Sequence, residues 1–252
     1  MNATKIVRRN SLVHWRAWRS SFFLSVLSPV MFLSAMGLGL GSLVEEEQAF
    51  GGVDYLAFFA TGMLAASCMQ AGAFSGTYPV MNKIVWQKNY DAVLASPLNV
   101  RDIFLGEVSW SAVMLTQLAT PFFMIMAFAG IFDSPLAILA IPVAVLVGTS
   151  CAAVIMAYTA TLHTDEAYTW LFRFVVTPLF LLSGTFFPID QLPAWGRVVA
   201  HLTPLFHGVE LVRQLTIYDL DPSAIWHLGY LVALLGVGVV VGIRNFERRL
   251  LP

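Results

Sequence analysis

The chain has 252 residues, of which 58% are hydrophobic and only 12% are charged, and its formal net charge is −1. Such an apolar composition cannot form a soluble core beneath a wettable surface, so it predicts an integral membrane protein. The near-neutral charge excludes the overall basic field of a nucleic-acid-binding protein, and two cysteines are too few for a disulfide framework or a cysteine metal site.

Intervals without charged residues divide the chain into segments that can cross a bilayer, which takes about 20 helical residues. The fifth segment reaches that length only if Arg173 extends to the headgroups. The sequence therefore predicts an all-α membrane protein with six transmembrane helices, in a single domain over residues 1–252. The predicted spans are about 20–44, 55–80, 107–132, 135–162, 168–187 and 222–243.

The run "IVRRNSLVHWRAWRSS" precedes the first predicted span. Trp15 and Trp18 fall on one side of a helix, and Arg16 and Arg19 add charge around it. This pattern predicts an amphipathic interfacial helix, which either contacts specific lipids or only anchors the first span. The long basic run and the spanning length of the apolar segment that follows are not typical of a cleaved signal peptide.

The distribution of Lys and Arg predicts the orientation. If both termini are cytoplasmic, all of the 14 Lys and Arg residues lie on the cytoplasmic side except Arg197 and Arg213. This arrangement satisfies the positive-inside rule. The loop between the first two spans and the long segment before the last span then face outward.

The most polar internal stretch, "KNYDAVLASPLNVRD", joins the second and third predicted spans on the cytoplasmic side. Its predicted features are a short helix with Asp91 as N-cap, an apolar face of Tyr90, Val93 and Leu94, and a stop at Ser96, Pro97 and Leu98. Asn99 followed by Asp102 predicts a capping box for the third span. The apolar face would form a knob toward the cytosol, either to contact a partner or as a turn on the membrane surface.

Residues 187–222 are too apolar for an exposed loop, yet polar residues interrupt them. A seventh span here would move the C-terminal arginines outside, so the segment is predicted to enter the outer leaflet as a helical hairpin and return. Its predicted landmarks are Asp190 as cap of the first helix, Pro193 in the first turn, Pro204 at the break and His207 in the second helix. Glu210 and Arg213, three residues apart, are placed to pair on one face.

Motifs for ATP binding or hydrolysis are missing from the chain: it has no G-x-x-x-x-G-K-[ST] loop, no H-E-x-x-H and no G-x-S-x-G. No Asp, Glu, Lys or Arg falls at the centre of a clear predicted span, which disfavours ion-coupled transport. A membrane-embedded lipid-modifying enzyme or scaffold, and an ATP-independent flippase or channel, remain as alternatives.

Two stretches carry a resemblance to a known family over essentially the whole chain. "LASPLNVRDIFLGE" and "FLLSGTFFPIDQLPAWGRVVAHLTPLFHGVELVR" resemble the permease subunits of ABC-2-type (type 2 ABC) exporters, in the NodJ-like branch of drug and lipo-oligosaccharide exporters. The pattern LSG-x-x-FP-x-DQLP is the most specific part. Phe206 departs from the family, where small hydroxyl residues are usual at this position.

The resemblance implies a non-catalytic half-transporter of the bacterial inner membrane. It would pair with a second permease copy, as a homodimer or heterodimer, and with two separate ATPase subunits that hold ATP and Mg, while this chain holds no cofactor or metal. Residues 90–98 would be the coupling helix, and the cargo an amphipathic lipid-linked saccharide or a drug-like molecule.

The resemblance also implies a translocation path along the second and fifth spans. The residues that these spans supply are Gln70, Phe74, Thr77, Tyr78, Thr177, Phe180, Ser183 and Phe187. Aromatic and hydroxyl side chains suit an amphipathic cargo. The same residue types also serve ordinary packing between membrane helices, so that interpretation stays open for each of them.

Overall fold

The computed structural model describes residues 3–14, 53–132 and 134–251, together with single helical positions at 27, 30, 31, 34 and 35. Within these residues the regular secondary structure is all helical, which confirms the predicted all-α class. Most of the first predicted span, and the interfacial residues Trp15, Arg16, Trp18 and Arg19, lie outside the described residues.

The helices described here are numbered in chain order. They are α1 (Ala3–His14), α2 (Tyr55–Ser75), α3 (Tyr78–Met81), α4 (Asn89–Leu94), α5 (Val100–Phe128), α6 (Ala140–Thr159), α7 (Glu166–Leu171), α8 (Thr177–Leu182), α9 (Ala194–His201), α10 (Pro204–Thr216) and α11 (Ser223–Leu250). One π-helical turn, Asn82–Trp86, continues α3, and another, Phe172–Val176, joins α7 to α8. Short 3₁₀ turns at Pro135–Leu139 and Ile189–Gln191 precede α6 and α9.

Four helical stretches among the described residues are long and apolar enough to cross a membrane: Tyr55–Trp86, Val100–Phe128, Pro135–Thr159 and Ser223–Leu250. They correspond to the second, third, fourth and sixth predicted spans. The fifth is a helical run from Glu166 to Leu182, which ends before the predicted limit of 187 because the chain turns at Gly184, where φ is 80°. The count of six spans stays a prediction.

Two of the helices extend beyond their predicted bounds. Helix α5 begins at Val100 rather than 107, because Asn99 and Asp102 form the predicted capping box: each side chain bonds to the other residue's backbone N–H. Helix α11 continues to Leu250 rather than 243 and carries three arginines in its last turns. Hydropathy marks the apolar part of a helix, whereas capping and propensity decide where the helix itself begins and ends.

Small residues allow the central helices to approach closely. Helix α6 packs against α2, α5, α10 and α11. A side chain on Gly72 of α2 would overlap the backbone of Gly148 in α6, so these two helices meet backbone to backbone.

The two ends of the helical bundle carry different elements. The end with α1, α4 and the C-terminus of α11 is called the terminal face, and the end with residues 183–222 is called the hairpin face.

Candidate functional site

The short helix α4 lies on the terminal face, but one of the three apolar side chains that were predicted to face the cytosol points into the bundle instead. Tyr90 is completely buried, with its ring 6.0 Å from that of Phe246 in α11. Val93 and Leu94 are half-buried against the same cluster. The prediction that Tyr90 faces the cytosol is therefore wrong, because the turn folds back onto α5 and α11 and uses this ring as its anchor.

The start of α4 also differs from the prediction. The helix begins at Asn89, and its N-cap is Lys88 in a left-handed conformation with φ of 48°, whereas Asp91 lies in the first turn. Lys88 reverses the chain immediately after the π turn, so the helix starts earlier than the capping pattern indicates. Asp91 still places negative charge at the helix N-terminus, where it is favourable.

The outward side of this turn is small and polar. Asp91, Ala92, Ala95, Ser96 and Pro97 are exposed. The hydroxyl of Ser96 donates to the carbonyl of Val93 at 2.6 Å and closes the turn. Beside the turn is a cavity of about 700 Å³, whose lining includes Leu94, Pro97, Leu98, Arg101, Glu247 and Leu251. The terminal face thus presents a shallow depression next to a rigidly anchored helix.

A buried charge cluster that was not predicted from the sequence supports the terminal face. Glu107 of α5 has a side chain only 3% exposed and forms an ion pair with Lys83, with 2.6 Å between Nζ and Oε2. Asn10 of α1 donates to Glu107 at 3.3 Å, and Arg9 lies 3.5 Å from it. The cluster links α1, the π turn after α3, and α5. The only sequence signal was a charged residue at the predicted boundary of the third span.

The same carboxylate acts on the buried phenol of α4. Burial raises the pKa of Tyr90 well above its usual value of 10.0, and the negative charge of Glu107 raises the pKa further. The Tyr90 hydroxyl is buried and finds no hydrogen-bond partner among the described residues. Tyr90 is therefore a neutral phenol, held mainly by ring packing.

The predicted path residues do not come together around one opening. Gln70, Phe74 and Thr177 are exposed, Tyr78, Phe180 and Phe187 are half-buried, and Thr77 and Ser183 are buried. The hydroxyl of Thr77 donates to Phe74 O at 2.8 Å, and that of Ser183 to Phe180 O at 3.3 Å. Each hydroxyl thus bonds to the last turn of the helix that precedes it, and the Ser183 hydroxyl also lies 3.1 Å from that of Thr185. That arrangement favours the packing interpretation for them.

A large apolar cavity lies beside the predicted path and contains none of its residues. Its volume is about 960 Å³, and it is lined from α2, α6, α7, α8, α11 and the turn between α9 and α10. The lining includes the aromatic rings of Tyr158, Trp170, Phe174 and Tyr230, together with Pro204. The cavity suits an apolar group rather than a charged one.

The hairpin is helical and partly buried, as predicted. Helices α9 and α10 meet at Pro204, the first residue of α10, and the hydroxyl of Thr203 accepts a hydrogen bond from Phe206 N at 3.2 Å to cap α10. The predicted cap of the first helix is wrong. Asp190 lies in the preceding 3₁₀ turn, and Pro193 is the N-cap of α9 rather than a residue of its first turn, because Leu192 is extended between them.

His207 fixes the hairpin to α11. Its Nδ1 is 2.8 Å from Nδ1 of His227, its Nε2 is 3.0 Å from His201 O, and its ring stacks on Tyr230 with centroids 4.0 Å apart. Burial, together with the neighbouring His227, lowers the pKa of His207 to about 4. His207 is therefore neutral and structural at neutral pH.

Arg213 turns into the protein instead of pairing with Glu210 on the hairpin surface. Its side chain is buried, and Nη2 donates to the carbonyls of Phe58 at 3.1 Å and Gly184 at 2.8 Å. The guanidinium carbon lies 3.5 Å above the Phe58 ring. The described residues contain no ion pair between Arg213 and a carboxylate. The predicted pair with Glu210 is wrong, because buried backbone carbonyls compete for the donor.

The four long apolar helices among the described residues indicate a polytopic membrane protein. Comparison with known proteins then gives its family. The ABC-2 type transporter family matches residues 3–217, so the chain belongs to that family. It is a membrane transport component rather than a catalytic enzyme.

Two of the relatives match along the full chain, and a third matches about half of it. Nodulation protein J from Rhizobium leguminosarum bv. viciae is 30% identical over 251 residues, covering 100% of this chain and 96% of that protein. Nodulation protein J from Rhizobium meliloti (strain 1021) is 29% identical over 251 residues, covering 100% and 95%. The probable multidrug ABC transporter permease YbhR from Escherichia coli (strain K12) is 26% identical over 144 residues, covering 56% of this chain and 39% of that protein.

Proposed function

We propose that the chain is the permease subunit of an ATP-driven exporter of the bacterial inner membrane. Residues 1–252 form one transmembrane domain with six spans, and both termini and the terminal face are cytoplasmic. The active unit contains a second permease copy, as a homodimer or heterodimer, and two separate ATPase subunits that hydrolyse ATP with Mg. This chain supplies the membrane path.

The anchored helix α4 carries the proposal for ATP coupling. Tyr90 fixes the helix to the bundle core, while Ala92, Ala95 and Pro97 remain exposed beside a cavity of about 700 Å³. An ATPase subunit that fits this surface would move α5 and α11 with it, because Tyr90 packs between them. Coupling through a rigid, buried anchor transmits displacement better than contact with a mobile loop.

The cargo is proposed to be an amphipathic molecule, either a lipid-linked saccharide or a drug-like compound. The apolar cavity of about 960 Å³ supports this class, because its aromatic lining would accept an acyl chain or a ring system. The name of one relative, a probable multidrug ABC transporter permease, is consistent with a drug-like cargo.

Co-purification with ATPase subunits tests the coupling surface. Ala92→Trp adds a large side chain to the exposed side of α4, and Ala194→Trp adds the same side chain to an exposed position of α9 on the hairpin face. When the full chain is co-expressed with candidate ATPase subunits from its own genome, Ala92→Trp should reduce the recovered ATPase at least about tenfold, equivalent to about 1.4 kcal/mol. Both variants should reach the membrane in normal amounts. Equal ATPase recovery with both variants would contradict the coupling role of α4.

A further inference from the structure

Arg213 joins three separate parts of the hairpin face through one guanidinium. It projects from α10 and donates both to the backbone of α2, at Phe58, and to the backbone just after α8, at Gly184. These acceptors are 155 and 29 residues away in sequence. Helices α2 and α8 belong to the second and fifth predicted spans, along which the family resemblance implies that the proposed membrane path runs.

The backbone around Arg213 is shaped to bring these parts together. Gly184 adopts φ of 80°, which ends the helical run and directs its carbonyl to the guanidinium. A Cβ placed on Gly62 of α2 would lie 3.1 Å from Arg213 Nη2 and 3.1 Å from the backbone of Thr185. The absence of a side chain at Gly62 therefore lets the 184–185 turn rest directly on α2.

The charge of Arg213 is costly in this position. Its side chain is 4% exposed, its Nε has no acceptor among the described residues, and no carboxylate pairs with it there. A buried cation loses hydration, and two carbonyls, one aromatic face and the negative charge of nearby Glu210 restore only part of it. An apolar side chain of similar volume would fill the space without this cost, so the charge indicates a role other than packing.

We propose that Arg213 is a reversible clasp, which holds the hairpin-face ends of α2 and α8 together and releases them when that end of the path opens. The inference rests on the proposed function only in assigning α2 and α8 to the path. In the closed state the clasp makes two charge-assisted hydrogen bonds. In the open state water reaches the guanidinium and replaces them. The closed and open states therefore differ little in free energy, so a small input of free energy can switch the protein between them.

If Arg213 acts as a clasp, substitutions at this position should differ in how far they open the hairpin face. Arg213→Lys keeps a buried charge, but its side chain is shorter, it loses the stacking of the guanidinium on the Phe58 ring, and its ammonium is more strongly hydrated, so it should favour opening. Arg213→Met removes the bonds together with the desolvation cost, so it should stay closed. A purely structural arginine would give the opposite order, with Lys the milder change.

Thiol labelling of the full chain in lipid nanodiscs measures the opening. Ser183→Cys places a nearly isosteric thiol at a completely buried position next to Gly184, and the buried native Cys68 and Cys151 report on general loosening. With a membrane-impermeant maleimide, Arg213→Lys should label Ser183→Cys at least about tenfold faster than the parent. Arg213→Met should label no faster than the parent, and both native cysteines should stay protected.

A second variant keeps the proposal testable if Arg213→Lys does not fold. Gly62→Ala presses on Arg213 and Thr185 without altering either, and should also accelerate labelling of Ser183→Cys. Faster labelling in Arg213→Met than in Arg213→Lys, parallel labelling of Cys68 and Cys151, or unchanged labelling in the variants that fold would each overturn the clasp. No ATPase is present in this experiment, so its failure would leave ATP coupling untouched, and loss of ATP coupling would leave the clasp untouched.

Discussion

Removing Lys83 should destabilise the protein because it strands a buried carboxylate. Glu107 is 3% exposed, and its shortest contact is the 2.6 Å ion pair with Lys83. Breaking one side of a buried pair costs about 3–5 kcal/mol. Arg9, whose side chain is 36% exposed and lies 3.5 Å away, offsets part of this cost, so we expect a loss of about 2–3 kcal/mol for Lys83→Met. Glu107→Gln should cost less, about 1 kcal/mol, because Lys83 is 19% exposed and can turn toward water.

Thermal unfolding of the purified chain in detergent measures these differences. A loss of about 1 kcal/mol lowers Tm by roughly 2–4 °C in a chain of this size, so Lys83→Met should lower Tm by roughly 4–12 °C. Arg101→Met is the matched control, since it breaks an ion pair with Glu247 whose side chains are 72% and 37% exposed, and it should change stability by less than about 1 kcal/mol. If Lys83→Met lowers Tm no more than Arg101→Met, the cluster does not hold the terminal face together.

Three further predictions concern topology, pH and packing. In intact cells a cysteine at Asp221 should react with an impermeant probe and one at Lys88 should not, and the reverse pattern would exclude the proposed orientation. Burial lowers the pKa of His207 from 6.5 to about 4, so between these pH values the unfolded chain binds a proton that the folded chain does not. The contribution of His207 to stability should therefore be complete above pH 6.5 and should fall as the pH approaches 4. The Tm of His207→Phe should depend less on pH, and an equal pH dependence would show that His207 is not the cause. Gly72→Val should cost about 1–3 kcal/mol because its side chain meets the backbone of Gly148, and an unchanged Tm would show that α2 and α6 can separate without loss.

Local patterns made part of the structure predictable. Asn99 and Asp102 are three residues apart, so their mutual capping depends on neighbouring backbone alone and could be predicted from the sequence. Pro204 could be placed at a helix start for the same reason, since proline fits the first turn and cannot continue a preceding helix. The composition and the apolar runs were sufficient for the all-α class.

The functional details depended on contacts that sequence spacing does not encode. Spacing placed Tyr90 on one side of a short helix, but it could not show which side faces the bundle. Glu107 stands at the predicted boundary of the third span, and its role in a buried cluster could not be predicted because its partners lie on two other segments of the chain. Arg213 was predicted to form an ion pair with Glu210, because helical spacing indicates only near neighbours. Its acceptors come instead from α2 and the turn after α8.

The π turns at Asn82–Trp86 and Phe172–Val176 have a consequence for how the chain tolerates changes in length. In each, a backbone N–H reaches back five residues, from Gln87 to Asn82 O and from Thr177 to Phe172 O, so each turn encloses one residue more than an α-helical turn. The turn at Asn82–Trp86 ends its helix and contains Lys83, so a deletion there would disturb the ion pair with Glu107. The turn at Phe172–Val176 lies between two helical segments, and deleting one residue inside it would restore an ordinary α-helix with little rotation of the flanking side chains. Elsewhere in this helical run a single deletion would turn the following side chains by about 100° and remove them from their neighbours. The second turn is therefore a position where the chain can lose a residue and keep its internal register.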